Sequence, residues 1–169
     1  SVVTPITTMA VETGLTASQI AKTLGLPETV SYSSFNPYAA GVDNSIAVAV
    51  ENASHKIIST ITTFANVLKS NSALTEQDAL ANAADAMTAL IQETAAGSGV
   101  IELSTAAGVA NYTKKLETAA GLSFPENVRS TANEGIAAVN TEIDKIEFIT
   151  VEGAAGSTTP TPTGYSTQV

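Results

Sequence analysis

The chain has 169 residues, enough for one domain with a sizeable core, and 44% of them are hydrophobic, so collapse is expected rather than disorder. A formal net charge of -9 argues against binding to nucleic acid or anionic lipid, while leaving weak cation binding open. The absence of Cys removes disulfides, thiol chemistry and Cys-based zinc sites.

The apolar residues are mainly small. Ala dominates, aromatics make up 5% and Trp is absent. Ala loses no side-chain entropy in a helix and lets helices approach closely, so a thin, closely packed helical core is expected. Charged residues are 14%, and Ser, Thr and Asn supply much of the polar surface. This composition suits a bacterial secreted or surface protein. A chain opening at Ser1-Val2-Val3 without Met reads as a mature or excised segment, with no recognisable signal peptide. No stretch is apolar enough to span a bilayer.

Thr4-Pro5 opens a short helix, with Pro at the first helical position, and Gly14 ends it. Thr16-Ala17-Ser18-Gln19 fits a capping box, opening a helix that carries Ile20 and Leu24 and stops at Gly25 and Pro27. Residues 28–42 read as a loop holding Tyr32, Phe35 and Tyr38. These rings are expected to form a lid over one end of the core; the competing reading is a ligand groove beneath them.

Asp43 is expected to cap the longest helix, 44–70, with Ile46, Val50, Ala53, Ile57, Ile61, Phe64 and Leu68 as its stripe. Thr75 caps the next, with stripe Leu80, Ala83, Met87, Leu90 and Ile91, broken by Gly97-Ser98-Gly99. Ser104 or Thr105 opens a further helix with Val109, Tyr112, Leu116 and Ala119, ending at Gly121. Phe124-Pro125 opens the last, with stripe Val128, Ala132, Ile136, Val139, Ile143 and Ile146. The stretch Ile146 to Val151 alternates in the manner of a strand, which would follow that helix or replace its last turn.

The fold expected is mainly all-α, an antiparallel helical bundle over 1–152 with short β-prone segments at both termini. Residues 153–169 have the Thr- and Pro-rich composition of a tail or linker.

Few residues invite chemistry. His55 is the single histidine, so a nitrogen-rich metal site is not expected, and no Gly-x-Ser-x-Gly elbow accompanies it. Gly97-Ser98-Gly99 lacks the Lys of a phosphate loop. Glu134, Glu142, Asp144 and Glu147 crowd the last helix, and Asp144 and Glu147, three apart, would share a face. Such pairs serve acid–base chemistry or calcium in some proteins, but exposed helical carboxylates generally only solvate. Asn52-Ala53-Ser54 and Asn111-Tyr112-Thr113 match the glycosylation sequon, here mid-helix.

The segments Val2-Val3-Thr4-Pro5-Ile6-Thr7-Thr8-Met9, Leu15-Thr16-Ala17-Ser18-Gln19-Ile20-Ala21, Leu24-Gly25-Leu26-Pro27 and Phe35-Asn36-Pro37-Tyr38 are similar to a helical module of large secreted bacterial proteins. There, a "TPLTTL" helix start, an "LGLP" turn and a short "NP" or "DP" motif recur beside adhesin-like or calcium-binding repeat domains. The resemblance covers about the first quarter of the chain and rests on caps and turns. It implies an extracellular setting and a structural or adhesive role, and carries over no catalytic residue.

The expectation is therefore a chain without a catalytic site or cofactor. Its partners would be protein, either neighbouring domains or further copies in a homo-oligomer, with no nucleic acid and no membrane insertion. Val2, Val3, Phe148, Ile149 and Val151 are the expected contact segments, because a lone strand must pair its backbone groups; pairing with each other within the chain explains them almost as well. Tyr32, Phe35 and Tyr38 are the ligand loop of the alternative, a small-ligand-binding domain.

Overall fold

Helix ends in this chain are written in its side chains. A computed structural model of the protein describes residues 5–28 and 30–147, and among these it has six helices and no strand. They are α1 (Pro5–Thr13), α2 (Ala17–Thr23), α3 (Asn44–Ser70), α4 (Glu76–Ala96), α5 (Ala106–Ala120) and α6 (Glu126–Asp144). Val2, Val3 and the 153–169 tail lie outside the described residues, as does the expected strand Ile146–Val151 after its first two residues, and Ile146 and Glu147 are not in a strand.

An unsatisfied N–H at a helix start seeks a short acceptor side chain. Thr16 Oγ1 accepts from Gln19 N at 3.1 Å and Gln19 Oε1 accepts from Thr16 N at 2.9 Å, both halves of the capping box. Asp43 accepts from Ser45 N at 2.8 Å, Thr75 from Asp78 N at 3.1 Å, and Thr105, rather than Ser104, from Gly108 N at 3.1 Å. Gly121 ends α5 in the left-handed conformation, φ 67°, which costs a glycine little.

The links between α3 and α4 and between α5 and α6 are short, which forces antiparallel neighbours. Helices α3, α4, α5 and α6 pack in a ring, each against the next and α6 back against α3. α1 and α2 pack on each other and on the outer side of α4. Gln92 Nε2 of α4 donates to Thr13 O at 2.9 Å, and Ile101 N donates to Thr23 O at 2.8 Å, fixing that pair in place. At the centre of the ring Phe64 and Tyr112 meet edge to face, centroids 5.2 Å apart. The Tyr112 hydroxyl donates to Ala83 O at 2.7 Å, so this large polar side chain is buried with its donor satisfied.

Most of the expected stripe residues face inward, with Ile46, Val128, Ala132 and Ile143 half-buried, and the misplaced ones share one cause. Leu80 and Val139 are each 48% exposed, Ala119 is exposed and Ile61 is only half-buried. Their places are taken by Ala79, Asn140, Ala120 and Thr60. At about 100° per residue, a position three away from a core residue lies about 60° off its direction, and a position four away only about 40° off. Counted from Ala83, Ile136, Leu116 and Phe64, the bundle turns the four-away residue further inward, burying Ala79, Asn140 and Thr60 and half-burying Ala120, small or polar though they are.

Gly108 sits where α5 crosses the preceding loop. A β-carbon there would lie 2.0 Å from the backbone carbonyl oxygen of Glu102. Gly135, mid-α6, has open space at the same position. Gly108→Ala is expected to destabilise by about 1–3 kcal/mol through overpacking, while Gly135→Ala stabilises by about 0.5–1 kcal/mol through helix propensity. Urea unfolding of the two variants checks the contrast; equal effects would mean that α5 does not approach the loop this closely.

Candidate functional site

The Tyr32–Tyr38 loop follows α2 and lies against the core. Tyr32 is 3% exposed, and its hydroxyl donates to Pro27 O at 2.6 Å. Phe35 packs edge to face on it, centroids 5.6 Å apart. Burial pushes the Tyr32 phenol above its ordinary pKa. Tyr38 is half exposed. Two of the three rings are thus spent on packing, with Tyr32 in the main hydrophobic cluster and Phe35 against it.

His55 is half-buried on α3, its Nε2 3.7 Å from Glu51 Oε2 one turn earlier. The neighbouring Lys56 points elsewhere and ion-pairs with Asp144 at 2.8 Å. The four carboxylates near the last helix do not gather. Glu134 is exposed, Glu142 pairs with Lys145 at 2.9 Å, and Asp144 takes Lys56 together with the Ser104 hydroxyl. Glu147 does not share a helical face with Asp144 as the spacing suggested, because α6 ends at Asp144 and the chain then leaves the helix. Among the described residues no group of three or more His, Cys, Asp or Glu side chains could hold a metal ion.

The sequons also resolve into structure. Asn52 is buried, and its Nδ2 donates to Ile146 O at 3.1 Å. Asn111 is exposed, but Thr113 is buried and its hydroxyl donates to Asn133 Oδ1. These residues belong to a set that sequence reasoning missed: Asn52, Thr60, Thr113, Asn133 and Asn140, all buried polar side chains between α3, α5 and α6. The signal was present. Asn133, Ile136, Ala137 and Asn140 fall at i, i+3, i+4 and i+7, one helical face with Asn at both ends.

The strongest electrostatic arrangement is at the α5–α6 corner. Burial pushes the Glu117 carboxyl up, but the Arg129 guanidinium, through its hydrogen bonds and charge, and the Phe124 N–H together hold it below the ordinary carboxylate value. Arg129 Nη2 lies 2.9 Å from Glu117 Oε2 and also donates to Phe124 O at 3.1 Å; Phe124 N donates to Glu117 at 2.7 Å. The pair closes the turn between two helices.

An open groove of about 460 Å³ runs between the C-terminal half of α3 and the start of α6. Thr63, Asn66 and Ser70 line one side, Asn127 and Thr131 the other, with Val67, Val128 and Ala132 between; no charged side chain lines it. No protein-family model, curated protein or solved structure matches this chain. No helix among the described residues is long and apolar enough to cross a membrane.

A group whose folded pKa is depressed adds stability above its unfolded pKa and loses it as pH falls through the folded one. For Glu117 that loss begins below its ordinary value of about 4.3. The Glu117→Gln variant should melt lower than wild type at pH 7, and the gap should narrow as pH drops toward 3. Melting curves across this range test it; a gap constant with pH would mean that the pair contributes nothing through ionisation.

Proposed function

We propose that this chain is a non-catalytic structural or adhesive module of the bacterial cell exterior, one form of which is a subunit in a surface assembly or filament. The observation that carries this reading is where the fold spends its perturbed groups. Among the described residues, Asp43 caps α3, Glu117 and Arg129 close the α5–α6 corner, and Tyr32 and Tyr112 fill the core. A catalytic site displaces pKa values at a cleft where a reacting group can sit. Here each displaced group is engaged in capping a helix, closing a corner or filling the core. The acidic, Cys-free composition and the capping motifs of the first quarter support the extracellular setting.

The contacts with neighbours fall to the chain ends in this reading. Val2, Val3, Phe148, Ile149 and Val151 would pair with neighbouring strands, with the helices as the spacer between them. The described residues next to the C-terminal segment are held in place, which supports this reading. Asn52 Nδ2 holds Ile146 O, and Asn44 Nδ2 donates to Glu147 O at 3.3 Å, so residues 146 and 147 lie against the first half of α3.

Deleting residues 153–169 is expected to leave helicity and melting nearly unchanged while weakening self-association, read by circular dichroism and light scattering. Collapse of the helical signal would place the tail in the core and sink this assignment. Native mass spectrometry of the full chain provides the second check. A tightly retained small molecule would favour a ligand-binding domain over a structural module.

A further inference from the structure

Helix α6 is held to the bundle differently from its neighbours. α4 buries Ala79, Ala83, Ala86, Met87, Leu90 and Ile91. α6 buries Asn133, Ile136, Ala137 and Asn140, half of them polar. Ile136 and Ala137 join the apolar core, with Val128 and Ala132 packed against it, and hydrogen bonds and ion pairs supply the rest of the links that α6 makes. Thr113 donates to Asn133; Asn140 Nδ2 donates to Thr60 Oγ1 at 3.2 Å and to Leu103 O at 2.7 Å. Thr141 Oγ1 donates to Ser104 O at 3.1 Å, and Asp144 holds Lys56 and Ser104.

Bonds of this kind fix register strongly but stabilise weakly in net terms, because water replaces them when the helix leaves. The Oδ1 of Asn140 is buried with no hydrogen-bond partner among the described residues, which weighs further against docking. The topology allows α6 to leave alone. It is the last described helix, it joins α5 through the short link that Gly121 opens, and it packs on α3 and α5 but not broadly on α4. The packing of α4 on α3, α5, α1 and α2 does not involve it.

We propose that α6, with Phe124 at its start and Ile146–Glu147 at its end, opens as one unit while α1–α5 remain folded. The bundle then has two levels of stability: an apolar body centred on α4, and a register-locked helix that detaches from it. Such an opening uncovers the α3 and α5 faces without unfolding the chain.

Hydrogen exchange with mass spectrometry on the full chain tests this. Peptides within 126–144 should exchange at least about 10-fold faster than those within 79–91, with a shallow urea dependence where the α4 peptides show a steep one. The variant Met87→Ala supplies the decisive comparison. It lies in α4, so it weakens the folded body equally whether α6 is docked or open. It should therefore speed exchange in α4 by roughly 30-fold or more and leave α6 exchange unchanged. If α6 quickens in step with α4, the helix opens only with global unfolding and the proposal fails. Should Met87→Ala not fold, the urea dependence in the unsubstituted chain decides alone: equal slopes for α4 and α6 overturn the proposal.

Discussion

Helix α4 must touch four other helices, and it can do so because half of the residues it buries are alanine. Ala79, Ala83 and Ala86 are essentially inaccessible, and a methyl group is small enough to let helix backbones come close on more than one side. The closeness has a visible product: the Tyr112 hydroxyl of α5 reaches the backbone carbonyl of Ala83. A longer side chain on that face of α4 would push α5 away and leave a buried donor without its acceptor, a penalty on the order of 1–3 kcal/mol. With no Trp and four Phe in the chain, the core depends on this proximity more than on large anchors. The two short N-terminal helices complete it by covering the side of α4 that the ring leaves open.

The opposite side of the ring follows another rule. Between α3, α5 and α6 the contacts alternate apolar and polar, as Ile136 and Ala137 sit between Asn133 and Asn140. Sliding α6 by one turn would part Asn133 from Thr113 and Asn140 from Thr60 and Leu103, leaving several buried polar atoms unpaired. An all-apolar seam would tolerate such a slip. The arrangement therefore sets where α6 lies along its neighbours, and with it where residues 146 and 147 lie beside Asn52 and Asn44. One side of the bundle is specified by fit between small side chains, the other by hydrogen-bond pairing.

Much of this was legible in the sequence, element by element. Thr16, Asp43, Thr75 and Thr105 announced helix starts because capping is local: an oxygen, a few backbone N–H groups and no knowledge of the rest of the fold. The exact inward face was less legible. Choosing Leu80, Ile61 and Val139 over Ala79, Thr60 and Asn140 weighted hydrophobicity above angle, yet in a tight bundle direction decides, and a polar residue pointing inward is accommodated if it finds a partner. Those partners lie far along the chain, as Asn140 with Leu103 and Asn52 with Ile146 show, so no window of neighbouring residues contains them. The pairing of Asp144 and Glu147 misled for a simpler reason. Their three-residue spacing has meaning only while the helix continues, and it stops between them.

The burial of Tyr112 also gives the chain an optical consequence. Burial pushes this phenol far above its ordinary value, whereas in an unfolded chain it ionises near about pH 10. The folded form thus keeps a proton that the unfolded form surrenders, and alkali draws the equilibrium toward unfolding. In a protein without Trp, near-ultraviolet absorbance is dominated by tyrosine. The phenolate band of Tyr112 would rise only as the bundle opens, so the molecule carries an absorbance change that follows its own core.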